Sequence, residues 1–385
     1  MTALIIIFWL SLFSLLYAYI GYIGMLWFMA LIKTNPIKRE AITPMVSLVI
    51  SAYNEEKVLA QKIENSLELD YPQHLLQIAV ISDGSTDKTN DIIRNYANQD
   101  ARILPCIVAI NKGKDSCLND FVPKLNGEIV LFSDANSFYD KDLIQKIVQP
   151  FADRMIGLVT GSTLYYLASG DQSINATSLY SQLEKITKSL ESRIGSCVGA
   201  DGAVFAMRKE LFSGLKPYEI NDLALPLQVV KNGYRTILDK HVFCKEEAPL
   251  EGVKNELNRN IRITKGAIIS LFSYKILLNP LCYPFYSFAI FSHKFMKFLS
   301  PFFLCMVLIV NIPLAWYGPH IYKVTLILQV FLYILVFTIG KGKNKRLITR
   351  FANICRTFIM VNAAYFVGWI KFFKGETYSS WKPNR

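Results

Sequence analysis

The sequence predicts an α/β domain built on a mostly parallel sheet, with apolar helices before and after it. Three observations carry this prediction. Between residues 45 and 254, short aliphatic runs alternate with segments of helical periodicity, the βαβ pattern whose crossovers make neighbouring strands parallel. Two of the strands end in acidic turns, SAYNEE at 51–56 and SDGSTDKT at 82–89. Both flanks of this region carry nearly uncharged apolar stretches long enough to cross a bilayer.

Composition narrows the class. The 385 residues are 52% hydrophobic and 13% aromatic, with a mean hydropathy of +0.28, more apolar than one soluble domain requires. The formal net charge of +12, from 42 basic and 30 acidic residues, suits an anionic membrane face and phosphorylated substrates. Nucleic acid is not indicated. The basic residues cluster beside apolar spans, and no helix-turn-helix, zinc-finger or RNP pattern is present. Seven cysteines without a CxxC pair and four histidines without ligand spacing argue against structural zinc and predict reduced, buried thiols.

Taken in order, residues 4–32 form one spanning helix, lacking the basic start and small-residue cleavage site of a signal peptide. Lys33, Lys38 and Arg39 follow, so the positive-inside rule places the chain from Pro44 onward in the cytoplasm. VSLVI (46–50) is the first strand, and Leu59, Ile63 and Leu67 mark the helix after it. QIAVIS (77–82) is the second strand; the turn at 85–87 then caps a helix bearing Ile92, Ile93 and Tyr96. Residues 103–110 are a third strand, NKGKDSCLND turns into a helix, and GEIVLFSD (127–134) is a fourth strand ending on Asp134. Ligands of a parallel open sheet lie outside the carboxyl ends of its strands, so the two acidic turns face one crevice.

Further on, Leu257, Ile261, Thr264, Ile268 and Leu271 share one helical face and Asn258, Arg259, Arg262 and Lys265 another, an amphipathic helix suited to a membrane interface. Spanning candidates lie at 298–316, 321–340 and 351–373. A basic loop with Lys341, Lys343, Lys345, Arg346 and Arg350 separates the last two. If that loop is cytoplasmic, the tail with Lys371, Lys374, Lys382 and Arg385 falls outside, against the charge rule. A re-entrant last segment, or a contribution from the stretch 272–291 broken by Pro280 and Pro284, resolves the parity. The expected domains are a transmembrane helix (1–33), an α/β domain (44–254), interfacial helices (255–293) and a C-terminal membrane region of about three helices with a short tail (294–385).

SAYNEE followed by SDGSTDKT resembles the membrane-bound family 2 glycosyltransferases, among them the bacterial synthases of cellulose, poly-N-acetylglucosamine and hyaluronan. The resemblance implies the GT-A fold, a Rossmann-like sheet that binds a nucleotide sugar, and inverting sugar transfer. Such transfer needs a grip on a diphosphate through Mg²⁺ or Mn²⁺ and a carboxylate base for the acceptor hydroxyl. On this resemblance Tyr53 lies against the base ring, and Glu55 and Asp83 accept hydrogen bonds from base or ribose. Taken singly, Glu55 is equally a helix first-turn carboxylate and Asp83 a turn former; their joint appearance at successive strand ends favours the site. Lys114 in NKGK is the cation nearest a phosphate or ribose, with Gly113 allowing close backbone approach, or else a solvated loop lysine.

The metal motif departs from the family's aspartate pair. In SDANS it reads Asp134 and Asn136, which strand alternation puts on one side; the amide offers an oxygen that hard cations accept, with one charge fewer. Strand-end turn chemistry is the alternative. GADGAVFAMRKEL (199–211) resembles the family's acceptor-side loop, where Asp201 either grips an acceptor sugar or forms a turn. In EINDLALPLQVVKNGYR (219–235) Asn221 replaces the first acid of the family's pair, while Asp222 keeps the second and is the expected base. From the residues alone it also reads as a helix N-cap. The Gln-x-x-Arg-Trp motif of processive members is missing. Arg259 and Arg262, with Lys265, meet either the leaving diphosphate or lipid headgroups. The ending SSWKPNR, with Trp381 and Arg385, resembles the tails of polysaccharide-forming members.

The resemblance thus implies a hexosyltransferase-type enzyme of a bacterial inner membrane, multi-pass, with its catalytic domain in the cytoplasm. It takes a UDP-sugar, extends a growing glycan of an exopolysaccharide or cell-surface polysaccharide, and works among membrane lipids with export or synthase partner proteins. Two alternatives stay open. One is single addition to a polyprenyl-phosphate or lipid-linked acceptor. The other is an inactive membrane subunit that binds a partner synthase, for which Asn136 and Asn221 speak.

Overall fold

A computed structural model describes residues 1–166, 179–248, 253–338 and 347–375. They divide into two compact units. One takes Leu26–Glu251 with Ile269–Ala289 and holds the sheet; the other takes Met1–Met25, Gly252–Ile268 and Ile290–Glu376 and is helical.

The sheet unit contains β1 (Val46–Ala52), β2 (Leu76–Asp83), β3 (Ile103–Val108), β4 (Ile129–Asp134), β5 (Phe138–Tyr139), β6 (Ile156–Tyr166), β7 (Phe205–Arg208) and β8 (Arg235–Glu247), in the order β3-β2-β1-β4-β7-β6-β8-β5. Every residue of the central strand β1 is buried. That is why its sequence is a nearly continuous apolar run: helices cover both faces of a parallel strand. The predicted parallel block is found across β3-β2-β1-β4. Beyond it the sheet is mixed. β7 pairs antiparallel with β4 and β6, β6 and β8 are parallel, and β5 closes the edge antiparallel to β8. β7 starts opposite Thr160, in the middle of β6, and runs back along its first half. Phe132 and Phe205 stack with ring centroids 4.6 Å apart and fix the β4–β7 register at that pair.

The predicted helices form at Leu59–Leu67, Thr89–Gln99 and Lys114–Phe121. Leu59 and Ile63 are fully buried, as their spacing demands. The cap position falls on Lys88 rather than within 85–87, with no side-chain cap bond there; Asp87 Oδ1 accepts the Thr89 amide at 3.0 Å. The helix Asn221–Lys231 starts after Ile220, so Asp222 stands in its first turn rather than at the cap. The connector after the first apolar helix is fastened to this unit: the Asn35 amide donates to Arg193 O at 2.7 Å, and Arg39 pairs at 2.6 Å with Asp239, whose side chain is fully buried.

Three helices among the described residues are long and apolar enough to cross a membrane: Thr2–Ile32, Pro284–Tyr317 and Phe351–Phe373. The candidate expected at 298–316 begins 14 residues sooner, at Pro284, because proline is well placed at a helix's first position. The stretch 272–291 is therefore the end of one helix, a short turn, and the start of another. His320–Ile334 is a shorter apolar helix. The amphipathic stretch is the helix Val253–Ser273, with Ile261, Thr264, Ile268 and Leu271 buried. The basic residues at 341–346 and the tail with Trp381, Lys382 and Arg385 lie outside the described residues. All seven cysteines are free thiols, but Cys282 and Cys305 are exposed rather than buried.

A polar contact joins three of these helices: Asn362 Nδ2 donates to Tyr19 OH at 3.2 Å, Asn362 Oδ1 accepts from Ser300, and Tyr19 and Ser300 share a hydrogen bond of 3.1 Å. Replacing Asn362 by leucine is expected to weaken this packing by about 1 kcal/mol, read as a shift in denaturant unfolding of the detergent-solubilised protein.

Candidate active site

The two acidic turns form one structure. Asn54, in the left-handed region at φ 56°, accepts the Thr86 amide on its side-chain oxygen at 2.8 Å, and its own amide donates to Ser85 Oγ at 3.1 Å. Glu55 N donates to Thr89 Oγ1 at 2.8 Å, Glu56 N to Asp87 Oδ2 at 3.1 Å, and Lys88 N to Glu56 Oε2 at 3.1 Å. The two turns are thus held together by Asn54, Glu56 and Asp87. Tyr53 is half-buried beside it, and Glu55 is buried with its carbonyl starting the next turn.

Asp83 faces a loop, not open crevice. Its Oδ1 accepts the Lys112 amide and its Oδ2 the Gly113 amide, both at 2.8 Å. The carboxylate clamps the NKGK loop, a role that the sequence reading did not foresee. The loop passes so close that a Cβ on Gly84 would stand 2.3 Å from Asn111 N, and Gly84 has a φ of +68°. Gly84→Ala should therefore cost on the order of 2 kcal/mol, measured by thermal unfolding.

The clamped loop delivers Lys114, whose Nζ meets Asp134 Oδ1 at 2.7 Å. Lys114 is accordingly an ion-paired residue at the end of β4 rather than a solvated one. Asp134 and Asn136 are half-buried with Ala135 buried between them; the strand ends at Asp134, so Asn136 stands in the turn after it rather than on the strand. Their oxygens fit a hard divalent cation that completes its shell with water and substrate phosphates. Among the described residues no three His, Cys, Asp or Glu side chains gather as a self-sufficient metal cage.

The second half of the chain reaches the same end of the sheet. Because β7 runs antiparallel to β4 with Phe205 opposite Phe132, the loop 199–204 lies alongside the turn that follows Asp134. Tyr139 OH donates to Ala203 O at 2.9 Å and ties the two. A Cβ on Gly202 would lie 3.4 Å from Asp222 Oδ2, and the Ala200 amide donates to Asp222 O at 2.6 Å. Behind this loop two buried charges support it: Lys188 Nζ donates to Ala200 O at 2.8 Å, and Glu191 accepts the Val198 amide at 2.9 Å. The Asp201 carboxylate takes the Thr163 amide and hydroxyl and the Ala203 amide, bonds of the kind that a turn aspartate makes. Asp115, whose carboxyl is raised by burial, accepts Tyr218 N at 3.2 Å, so the segment leading to Asp222 is attached to the helix of Lys114. Arg259 and Arg262 belong to the helical unit, the first exposed and the second half-buried.

Two residues escaped the sequence reading. Glu219 is buried, with one oxygen on the Lys216 amide and Oε1 without a hydrogen-bond partner among the described residues. Lys62 is fully buried on the sheet side of its helix; the available signal was a lysine three residues after Leu59 and next to Ile63, on the apolar face. Burial pushes its ammonium down to about 7, against the opposing pull of Cys244, Glu246 and Asp134. Between about pH 7 and the ordinary lysine range the unfolded chain binds a proton that the folded one does not, so stability rises with pH across that window. The wild-type unfolding midpoint should climb from pH 7 to pH 10 relative to that of Lys62→Met, as followed by thermal scans.

Residues 47–215 match the profile described as glycosyl transferase family 2. The chain carries a family 2 glycosyltransferase domain. Relatives of this domain include a beta-monoglucosyldiacylglycerol synthase of Nostoc sp., 32% identical over 118 residues, and the probable glycosyltransferase YdaM of Bacillus subtilis, 33% identical over 122. A poly-beta-1,6-N-acetyl-D-glucosamine synthase of Staphylococcus epidermidis is 28% identical over 140 residues. These matches take in 30%, 31% and 34% of this chain and 25%, 29% and 33% of the three relatives, so the chain spans a third or less of their length. The mannosyltransferase PcManGT of Pyrobaculum calidifontis, solved with GDP-Man and Mn²⁺, superposes with a TM-score of 0.75 at 20% identity, covering 97% of this chain and 99% of that one. The family 2 domain therefore has the GT-A fold.

Proposed function

We propose that this chain is an inverting glycosyltransferase that moves a sugar from a nucleotide-sugar donor to a hydroxyl at a membrane, building a glycolipid or a growing glycan. One observation carries the reading: the Asp83-clamped loop brings Lys114 onto Asp134 at the end of the sheet where Gly202 lies against Asp222. Tyr53 stacks on the base, and Glu55 and the outer lone pairs of Asp83 take base and ribose. Lys114 turns its charge to the diphosphate. Asp134 and Asn136 hold Mg²⁺ or Mn²⁺, which when bound offsets the charge of the leaving diphosphate. Asp222 takes the proton of the acceptor hydroxyl, whose oxygen attacks the anomeric carbon as the bond to the phosphate oxygen breaks. A single displacement inverts that carbon.

Membrane attachment rests on the three long apolar helices, and a cytoplasmic catalytic side on Lys33, Lys38 and Arg39 after the first of them. Arg259 and Arg262, on an amphipathic helix, serve phosphate groups, those of lipid headgroups included. Single addition to a lipid-linked acceptor is favoured over polymerisation by the missing Gln-x-x-Arg-Trp motif and by relatives named for a glucosyldiacylglycerol product. The donor class draws support from the GDP-Man in the mannosyltransferase of the same fold.

The test is release of nucleotide diphosphate by the purified protein with Mg²⁺ or Mn²⁺, a panel of UDP- and GDP-sugars, and lipid and oligosaccharide acceptors. Asp222→Asn is expected to lower turnover by roughly 10²–10⁴-fold with the donor KM little changed, and product sizing separates one addition from many. Silence from every donor, or an Asp222→Asn protein as active as the wild type, would sink the reading.

A further inference from the structure

Lys62 has no place in the steps above, yet it is the largest charged side chain buried under them. It lies on the helix Leu59–Leu67 with none of its surface exposed. Its Nζ donates to the carbonyl of Ser137, the residue after Asn136. It also sits 3.7 Å from the centroid of the Tyr139 ring, a favourable cation–π distance. One turn further along, Asn65 brackets the same segment: its Nδ2 donates to Tyr139 O and its Oδ1 accepts Tyr139 N, both at 2.9 Å. Ser137 is itself fully buried, and its hydroxyl is held by Glu246 of β8. The short stretch after Asn136 is thus gripped from three sides.

An apolar side chain of similar volume would fill the space without the cost of burying an amine. What lysine adds is a donor for the Ser137 carbonyl, next to Asn136, carried on a nitrogen packed over the Tyr139 ring. Tyr139 in turn passes the constraint on, since its hydroxyl donates to Ala203 O at 2.9 Å in the loop that touches Asp222.

Resting on the function proposed above, we infer that Lys62 is a positioning residue: it sets the turn that presents Asp134 and Asn136, and through Tyr139 the loop beside Asp222. It touches no substrate. Its influence is therefore expected in the affinity of the site, and that of Tyr139 in turnover.

The experiment compares full-length wild type, Lys62→Met and Tyr139→Phe in detergent. It reads Mn²⁺ affinity by electron paramagnetic resonance, nucleoside diphosphate affinity with and without Mn²⁺ by calorimetry, donor KM and kcat, and unfolding. K62M is expected to weaken Mn²⁺-dependent nucleotide binding at least tenfold and raise donor KM in step, while Y139F keeps the affinity and loses kcat. A folded K62M that binds Mn²⁺ and nucleotide like the wild type overturns the inference. If K62M does not fold, Y139F decides, and an unchanged kcat overturns it. A wild type with no Mn²⁺-dependent nucleotide binding overturns this inference and the proposed function together, whereas wild-type binding left intact by K62M overturns this inference alone.

Discussion

A carboxylate held by two backbone amides organises the chemistry of this molecule. Asp83 ends a strand, and its paired bonds to Lys112 and Gly113 convert a flexible glycine-bearing loop into a fixed platform. Charged acceptors bind amides about twice as strongly as neutral ones, and at 3% exposure water competes little. The start of the next helix, the reach of Lys114 to Asp134, and the attachment of the segment before Asp222 through Asp115 all follow from that anchoring.

The second constraint is topological. Parallel strands alone would put every turn at the carboxyl end of the sheet on residues that follow a strand. By running antiparallel, β7 brings to that end a loop that precedes a strand, so residues 199–204 and Asp222 share the neighbourhood of the turn that follows Asp134. Such a junction of distant segments needs support from beneath, and here it comes from buried charges bonded to carbonyls and amides. Lys188 and Glu191 lie behind one loop and Lys62 under the other.

Much of this was written locally in the sequence. Strands β1 to β4 announce themselves as aliphatic runs closed by Asp, Asn and Gly, since burial on both faces and turn chemistry each act within a few residues. Less was legible where a side chain's partner is remote. Nothing near Asp83 reveals that the amides it takes lie 29 and 30 residues away. Asp201 could not be assigned without Thr163, nor Lys62 without Ser137, 75 residues on. β7, at four residues, is too short for a period to show, and the exposure of Cys282 and Cys305 depends on where helices begin and which side they turn outward.

The connector between the first apolar helix and the sheet has an unobtrusive importance. Residues 33–45 contain no regular structure, which invites their removal when a smaller, more tractable protein is wanted. They are nevertheless woven into the sheet unit: Asn35 bonds to Arg193 and accepts from Arg235, and Arg39 neutralises a carboxylate on β8 that water cannot reach. A chain trimmed to begin at the first strand would strand that charge in the interior, so the shortest self-sufficient version of the unit begins before the sheet does.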